Sequence, residues 1–190
     1  MRVLRARDYA RMPWKNGGGE TLEIAAYPSG ASLVDFGWRI SMAHVASDGP
    51  FSVFPGVDRT LTILAGAGLR LTVGNQQVVT LTRESTPYAF AGEADTRSTL
   101  IDGPVTDLNV MSRRAAHRHD VQRSRLVADL ELELHAAITA IFVDEGTVDV
   151  AAEKKSAALE SSDTALIPRS SGSARLQGRA PASLILIHID

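Results

Sequence analysis

The chain has 190 residues, 44% of them hydrophobic, and a formal net charge of −2. A chain of this length buries roughly 70% of its unfolded surface, and the absence of cysteine excludes disulfides, thiolate nucleophiles and cysteine metal sites. The balanced charge argues against a nucleic-acid partner. The charged N-terminal segment and the lack of a long apolar run argue against a signal peptide and a membrane span. We therefore expect a soluble, cytoplasmic globular protein with no nucleic-acid partner and no membrane partner.

Short segments of alternating side chains predict β-structure along the whole chain. Residues 38–43 alternate between apolar and polar or small side chains, which is the period of a strand with two different faces. The same rhythm recurs at hairpin spacing on both sides of residues 113–120, a basic segment without an apolar face. We predict an all-β chain with two β-barrel lobes and little helix. The lobes would comprise residues 1–112 and a smaller 113–190, with exchange of strands between them left open.

Residues 13–21 contain three consecutive glycines, which suggest a tight turn or a close approach of two backbones. Lys15 precedes the glycines, so the segment lacks the spacing of a nucleotide phosphate loop. Two interpretations remain open. Either the glycines allow close packing while Trp14, Lys15 and Asn16 point at a ligand, or the segment is a hairpin tip with a solvated lysine.

Polar residues also interrupt the otherwise apolar framework of residues 39–59, and the clearest of them are Arg39, Ser41, Asp58 and Arg59. A few polar groups inside a β-barrel are typical of a small-molecule site. Alternatively, Asp58 and Arg59 only cap and solvate a turn. A third interpretation is that Arg59 pairs with Asp58, Asp48 or Glu23 and is structural.

Asp107, Asn109 and Met111 share one face of a predicted strand over residues 106–111. Unpaired polar groups in a core cost about 1–3 kcal/mol each. The two polar side chains are therefore either bonded to each other or part of the lining of a pocket.

Metal and nucleophile chemistry find little support in the sequence. His117 and His119 could share a strand face, but they lie among arginines, so we predict a solvated pair instead of a metal site. No G-x-S-x-G elbow is present. General acid–base chemistry by Glu23, Asp48, Asp58 or Asp107 depends on which carboxylates the fold brings together. We expect no metal and no cofactor.

Six motifs in this order resemble the HutD/Ves family over residues 4–114. They are PWKNGGGET (13–21), WRIS (38–41), DGPFS (48–52), FPG (54–56), DR (58–59) and DLNVM (107–111). The resemblance implies a bicupin-like fold of two jelly-roll lobes and a role linked to histidine utilisation. It also implies binding of a pathway metabolite such as urocanate or formylglutamate, while the Ves branch is tied to environmental stress. The strand after Arg59 has no histidine, so the usual metal ligands of cupins are missing.

The expected function is that of a metal-free, regulatory binding protein for a small anionic metabolite, in histidine utilisation or stress. The alternatives are a cupin-type isomerase or hydrolase acting on a small carboxylate, and a partner-binding scaffold. A homodimer is an open option. The guanidinium and ammonium groups suit a carboxylate, and the tryptophans suit a planar ligand. The predicted ligand-binding residues are Trp14, Lys15, Asn16, Thr21, Glu23, Trp38, Arg39, Ser41, Asp58, Arg59, Asp107, Asn109 and Met111.

Overall fold

The structure is a computed structural model that describes residues 1–14, 17–75, 78–178 and 180–190. The chain divides into two compact units, Ala10–Arg118 and Met1–Tyr9 together with His119–Asp190. Antiparallel strands dominate both units, with two three-residue 3₁₀ turns (Ala6–Asp8 and Arg169–Ser171), so the predicted all-β class is confirmed. Within the described residues, no helix has the length and apolar character needed to cross a membrane.

The strands are short and follow one another through tight turns. The first group is β1 (Arg2–Leu4), β2 (Ala10–Pro13), β3 (Gly19–Tyr27), β4 (Trp38–Val45), β5 (Gly49–Pro50), β6 (Val57–Ala65), β7 (Leu69–Val73), β8 (Val79–Leu81), β9 (Tyr88–Ala91), β10 (Thr96–Leu100) and β11 (Val105–Arg113). The second group is β12 (His119–Leu126), β13 (Leu130–Glu133), β14 (Ile138–Glu145), β15 (Val148–Ala152), β16 (Lys155–Leu159), β17 (Thr164–Pro168), β18 (Ser173–Gly178) and β19 (Ala182–Ile189).

The unit Ala10–Arg118 consists of a six-stranded sheet, β2-β3-β4-β11-β6-β9, and a four-stranded sheet, β5-β10-β7-β8. Alternate residues of β4 and β6, among them Val45, Leu61 and Ile63, pack with Leu69 and Leu71 of β7 in one apolar cluster. The core of this unit therefore lies between its two sheets, where the period-two pattern directs the apolar face of each strand.

The second unit has a five-stranded sheet, β1-β17-β14-β19-β12, and a four-stranded sheet, β13-β18-β15-β16. Its interior is filled by aliphatic side chains such as Ile141, Val143, Val150, Leu176 and Leu184. The same two-sheet plan thus encloses a hydrophobic core in this unit.

The bounds of the two units differ from the predicted lobes 1–112 and 113–190. β1 pairs with β17, with Val3 opposite Ala165, which places residues 1–9 in the unit that contains the C-terminal half. The division after Arg118 also lies near the end of the basic segment, while the predicted border lay at its start. A pairing between strands so far apart in sequence leaves no signal in local alternation.

Asp163 connects the N-terminal segment to the rest of its unit. Its carboxylate accepts hydrogen bonds from the Arg5 guanidinium (2.7 Å), the Ala6 backbone N–H (2.9 Å) and the Glu160 backbone N–H (3.1 Å). Burial raises the pKa of Asp163, but these donors outweigh burial and hold the pKa below its ordinary value of 3.8.

We expect Asp163→Ala to lower the free energy of unfolding of this unit by about 2–4 kcal/mol, because three bonds to a charged acceptor are lost. A lowered folded pKa means that the carboxylate stabilises the fold above its unfolded pKa and loses this effect as pH falls through the folded value. Urea denaturation at neutral and acidic pH should therefore show a smaller difference from wild type in acid. Asp8→Ala removes an exposed carboxylate of the same segment and should leave stability unchanged; an equal loss there would contradict this account.

Candidate functional site

A cavity of about 630 Å3 lies in the unit Ala10–Arg118. Strands of both sheets and the segment between β5 and β6 contribute to its walls. Its lining residues are Met12, Pro13, Trp14, Thr21, Leu33, Arg39, Ser41, Ala43, Val45, Ser47, Asp48, Gly49, Pro50, Phe51, Ser52, Phe54, Arg59, Ser98, Asp107, Asn109 and Met111.

The cavity is polar because the inward face of the large sheet changes character along its strands. On β6, Leu61 and Ile63 belong to the apolar cluster, whereas Arg59, two residues earlier on the same face, lines the cavity. On β4, Ala43 and Val45 reach both the cluster and the cavity, and Arg39 extends the same face towards the start of the strand. The sheet therefore has an apolar end and a polar end on one face.

Strand register sets the two arginines beside one another. Met111 of β11 pairs with Arg39 of β4 on one side and with Arg59 of β6 on the other. Neighbouring strands lie about 4.8 Å apart, so the two arginine backbones are roughly 10 Å apart on one face. Residues 20 positions apart in sequence thus supply two cations to the same wall.

Arg59 is buried, with 6% of its surface exposed. Its guanidinium carbon lies 4.9 Å from the ring centre of Phe51, 5.2 Å from Phe90 and 5.7 Å from Phe54. Two of its nitrogens donate hydrogen bonds, Nη2 to Asn109 Oδ1 (2.7 Å) and Nη1 to the Ser52 carbonyl (3.3 Å), while Nε has no partner among the described residues. The aromatic rings favour the cation, but its hydrogen-bonding capacity is incompletely used.

Asn109 links Arg59 to Asp107, which is almost fully buried. Asn109 Nδ2 donates to Asp107 Oδ1 at 2.5 Å, and within the described part of the chain Asp107 Oδ2 has no hydrogen-bond partner. A buried polar atom without a partner costs about 1–3 kcal/mol. Two such atoms, on Arg59 and Asp107, therefore belong to residues that line one cavity.

Burial shifts the pKa values of both ends of this chain of bonds. It raises the pKa of Asp107 from 3.8 to about 7, although the charge of Arg59 and the bond from Asn109 act against the rise. It lowers the pKa of Arg59 to about 10, with Asp107 opposing and Arg39 adding to the shift. Arg59 thus remains a cation at neutral pH, and Asp107 titrates near neutrality.

Arg39 has a different environment, because Glu23 neutralises it. Arg39 Nε donates to Glu23 Oε2 at 2.8 Å, and Nη1 donates to Ser41 Oγ at 3.0 Å. Glu23 does not itself line the cavity, and its carboxylate is partly exposed. The pair fixes the position of the Arg39 guanidinium in the wall.

The glycine-rich segment positions Trp14. A side chain at Gly19 would meet the His44 carbonyl oxygen at 2.2 Å, so only glycine permits this approach to β4. Gly17 has a φ of +70°, which also favours glycine. The turn brings Trp14 into the cavity wall, where Nε1 donates to Thr21 Oγ1 at 2.8 Å.

The structure places eight of the predicted site residues in the cavity wall: Trp14, Thr21, Arg39, Ser41, Arg59, Asp107, Asn109 and Met111. Glu23 reaches the site only through Arg39. Lys15 and Asn16 lie outside the described residues. The proposed pairing of Arg59 with Asp58, Asp48 or Glu23 gives way to bonds with Asn109 and Ser52.

Trp38 and Asp58 lie away from the cavity. Each occupies the strand position directly before an inward-facing arginine, so alternation directs it to the opposite face. Trp38 is buried and stacks on Tyr27 with ring centres 6.1 Å apart, and Asp58 pairs with Arg114 at 2.8 Å. Trp38 is therefore not a wall for a planar ligand.

The aromatic residues around Arg59 are absent from the predicted set of site residues. Phe51 and Phe54 belong to the motifs at 48–52 and 54–56, and Phe90 lies in β9 opposite Arg59. Motif membership could have identified the first two residues. Phe90 has no such signal, because its pairing with β6 joins distant parts of the chain.

No group of three or more histidine, aspartate or glutamate side chains within the described ranges is placed to hold a metal ion. His117 packs edge-on against Tyr27 with ring centres 5.6 Å apart. His119 begins β12 and belongs to the other unit. The two histidines that could have shared an ion are thus assigned to different units.

The fold and the cavity define an all-β protein of cupin-like architecture with a polar interior site. A cupin barrel domain protein from Leptotrichia buccalis superposes with a TM-score of 0.61 at 10% identity, covering 90% of this chain and 88% of that one. The predicted cupin-like fold is thereby confirmed. The chain belongs to the HutD family, whose sequence model matches residues 6–186.

Relatives agree with this assignment. HutD from Pseudomonas fluorescens SBW25 has a TM-score of 0.81 at 32% identity, and a conserved protein of unknown function from Pseudomonas aeruginosa has 0.91 at 34%; both comparisons cover 100% of this chain and 98% of the other. An uncharacterised Pseudomonas putida protein from the hutC 3′ region is 42% identical over 64% of this chain and 63% of its own length. Protein Ves of Cronobacter sakazakii is 44% identical over 60% and 64%. The chain thus spans less than two thirds of these two curated relatives.

We expect the stability of the wild-type protein to fall as pH rises from about 5 to about 8 through Asp107. A carboxyl with a raised folded pKa binds its proton more tightly in the folded state, so its contribution is greatest in acid and is lost as pH rises through the folded value. Asp107→Asn keeps the acceptor for Asn109 without this titration. Urea denaturation at both pH values gives the free energy of unfolding of the variant minus that of wild type. This difference should be larger at the higher pH than at the lower pH, by an amount on the order of 2–4 kcal/mol. Equal pH slopes for the two proteins would refute this, and Asp58→Asn should keep the wild-type slope.

Proposed function

We propose that the cavity of the unit Ala10–Arg118 binds a small carboxylate-bearing metabolite without a metal ion. Membership of the HutD family links the chain to histidine utilisation. The proposal adds that ligand binding serves a cytoplasmic, regulatory role in that process. Urocanate and formylglutamate, the metabolites implied by the sequence resemblance, are the first ligands to test.

The observation that carries the proposal is the state of Arg59. Its guanidinium is buried, it is stacked among three phenylalanine rings, and the residues that the structure describes offer its Nε no acceptor. A carboxylate would supply an acceptor with the planar geometry that a guanidinium matches. A purely structural arginine at this depth would be expected to have its donors satisfied.

The remaining walls suit a small, partly planar molecule. Ser41, Ser98 and Thr21 line the cavity with hydroxyl groups, and Trp14 and Phe51 supply aromatic surface. A few placed polar groups among apolar walls are the usual composition of a small-molecule site, and about 630 Å3 lies within the usual size range.

We expect Arg59→Met to weaken urocanate or formylglutamate binding roughly 30-fold or more, because loss of one partner of a buried charge contact costs about 2–5 kcal/mol. Methionine keeps an apolar side chain among the phenylalanine rings. The measurement is a titration followed by tryptophan fluorescence, with folding of the variant checked by circular dichroism.

Two further variants make the titration interpretable. Arg114→Met removes a guanidinium that pairs with Asp58 and Glu93 outside the cavity, so its binding should match wild type. Trp14→Phe should remove most of the ligand-dependent signal, because Trp38 faces away. If neither metabolite gives a saturable response with wild type, the proposed function is wrong; if the folded Arg59→Met variant binds like wild type, the assignment of the pocket is wrong.

We expect a chelator to leave ligand binding unchanged. Two guanidinium groups, on Arg39 and Arg59, line the cavity, and such neighbours disfavour a divalent cation among the described residues. The check is the same titration before and after dialysis against EDTA, together with elemental analysis of the purified protein. A loss of binding that returns with zinc, iron or manganese would overturn the metal-free proposal.

A second candidate function is catalysis of proton transfer on the bound carboxylate. The observation in its favour is Asp107, a cavity carboxyl whose pKa of about 7 suits a general acid or base near neutral pH. Incubating each bound metabolite with the protein in D2O and following its proton spectrum tests this candidate. Deuterium incorporation or a new product that Asp107→Asn abolishes would support the enzyme, and unchanged spectra would exclude this reaction for those ligands.

A further inference from the structure

The charge of the cavity depends on the protonation of Asp107. The ionisable residues among the described part of the lining are Arg39, Asp48, Arg59 and Asp107. Arg39 is neutralised by Glu23, and Asp48 is exposed, with its Oδ1 accepting the Leu100 backbone N–H. The buried wall therefore has one excess positive charge when Asp107 is neutral and none when it is ionised.

The surroundings of Asp107 favour the neutral acid. Its pairing neighbours across the sheet are Ala43 on β4 and Ile63 on β6, which offer no hydrogen-bonding side chain. Among the described residues, one carboxyl oxygen accepts from Asn109 alone, and the other has no partner. A protonated Oδ2 is a donor that lacks an acceptor, whereas an ionised Oδ2 is a desolvated charge, which is the costlier state.

We propose that Asp107 takes part in ligand binding as a neutral acid, so that the protein takes up one proton together with a singly charged carboxylate. This inference rests on the proposed function. The ligand carboxylate compensates the Arg59 charge and accepts the proton of Asp107 in a hydrogen bond. Both residues that the described chain leaves incompletely satisfied then gain a partner, the guanidinium of Arg59 and the carboxyl of Asp107.

The other charged groups around the site agree with this charge balance. Arg59 on β6 and Arg39 on β4 line the same cavity as Asp107, Glu23 lies on β3, and Asp48 precedes β5. The first carboxylate of a dianion would neutralise the one excess positive charge of the wall. Its second carboxylate would then have no positive charge to compensate it. The class of ligand is therefore a monocarboxylate in preference to a dicarboxylate.

Isothermal titration calorimetry measures the proton directly. Urocanate is titrated in two buffers with different ionisation enthalpies at about pH 8. This pH lies above the pKa of about 7 that Asp107 has in the protein without ligand. Wild type should take up about one proton per ligand. Asp107→Asn should still bind but take up close to none, and Asp58→Asn, the matched change outside the cavity, should behave like wild type.

A second comparison tests the charge of the ligand. N-Formylglutamine has the size and shape of N-formylglutamate but one negative charge fewer. We expect it to bind at least about tenfold more tightly, equivalent to 1.4 kcal/mol. Tighter binding of formylglutamate would overturn the preference for a monoanion.

The possible outcomes distinguish a failure of this inference from a failure of the proposed function on which it rests. Saturable binding without proton uptake, or uptake that persists in Asp107→Asn, overturns the inference and leaves the binding function standing. Absence of binding by every probe overturns both. If Asp107→Asn fails to fold, wild-type affinity decides alone: it should weaken about tenfold per pH unit above neutrality, and a flat profile would refute proton uptake.

Discussion

The site depends on a buried chain of hydrogen bonds that runs from Arg59 through Asn109 to Asp107. Burying two ionisable groups is unfavourable unless each finds partners, and this chain supplies one contact to each and leaves one atom of each unsatisfied. The aromatic rings around Arg59 offset part of the desolvation of the cation. The charge of Arg59 and the bond from Asn109 offset only part of the desolvation of Asp107, which explains why its pKa rises towards neutrality.

The interiors of the two units differ in polarity. Each has a larger and a smaller antiparallel sheet. On β14 and β19 the inward positions hold Ile141, Val143, Leu184 and Leu186, whereas on β4 and β6 of the other unit arginines appear at one end of the same kind of face. Aliphatic side chains stabilise an interior through burial and packing, and they need no hydrogen-bond partners. Retaining polar groups in one interior lowers stability there, which is expected where a ligand supplies the missing partners.

Much of this architecture could be predicted from local patterns. Alternation identified the strands around Arg39 and Asp107, and the motifs selected most of the cavity wall. Trp38 and Asp58 were predicted in the site because they belong to the same motifs as the arginines, although adjacent strand residues face opposite ways. Register and long-range pairing were not predictable, so neither the pairing of β1 with β17 nor the place of Phe90 opposite Arg59 was foreseen.

The glycine-rich motif and the arginines contribute to the same cavity. Gly19 permits the start of β3 to approach His44 on β4, and Trp14, whose backbone N–H donates to the Gly19 carbonyl, lines the same cavity as Arg39 and Ser41 of β4. A larger residue at position 19 would displace the turn and thereby move an aromatic wall of the site. The glycine is thus a backbone requirement, and its consequence for the site is the position of Trp14. Motifs that are far apart in sequence therefore meet at one cavity, and each contributes a different part of its wall.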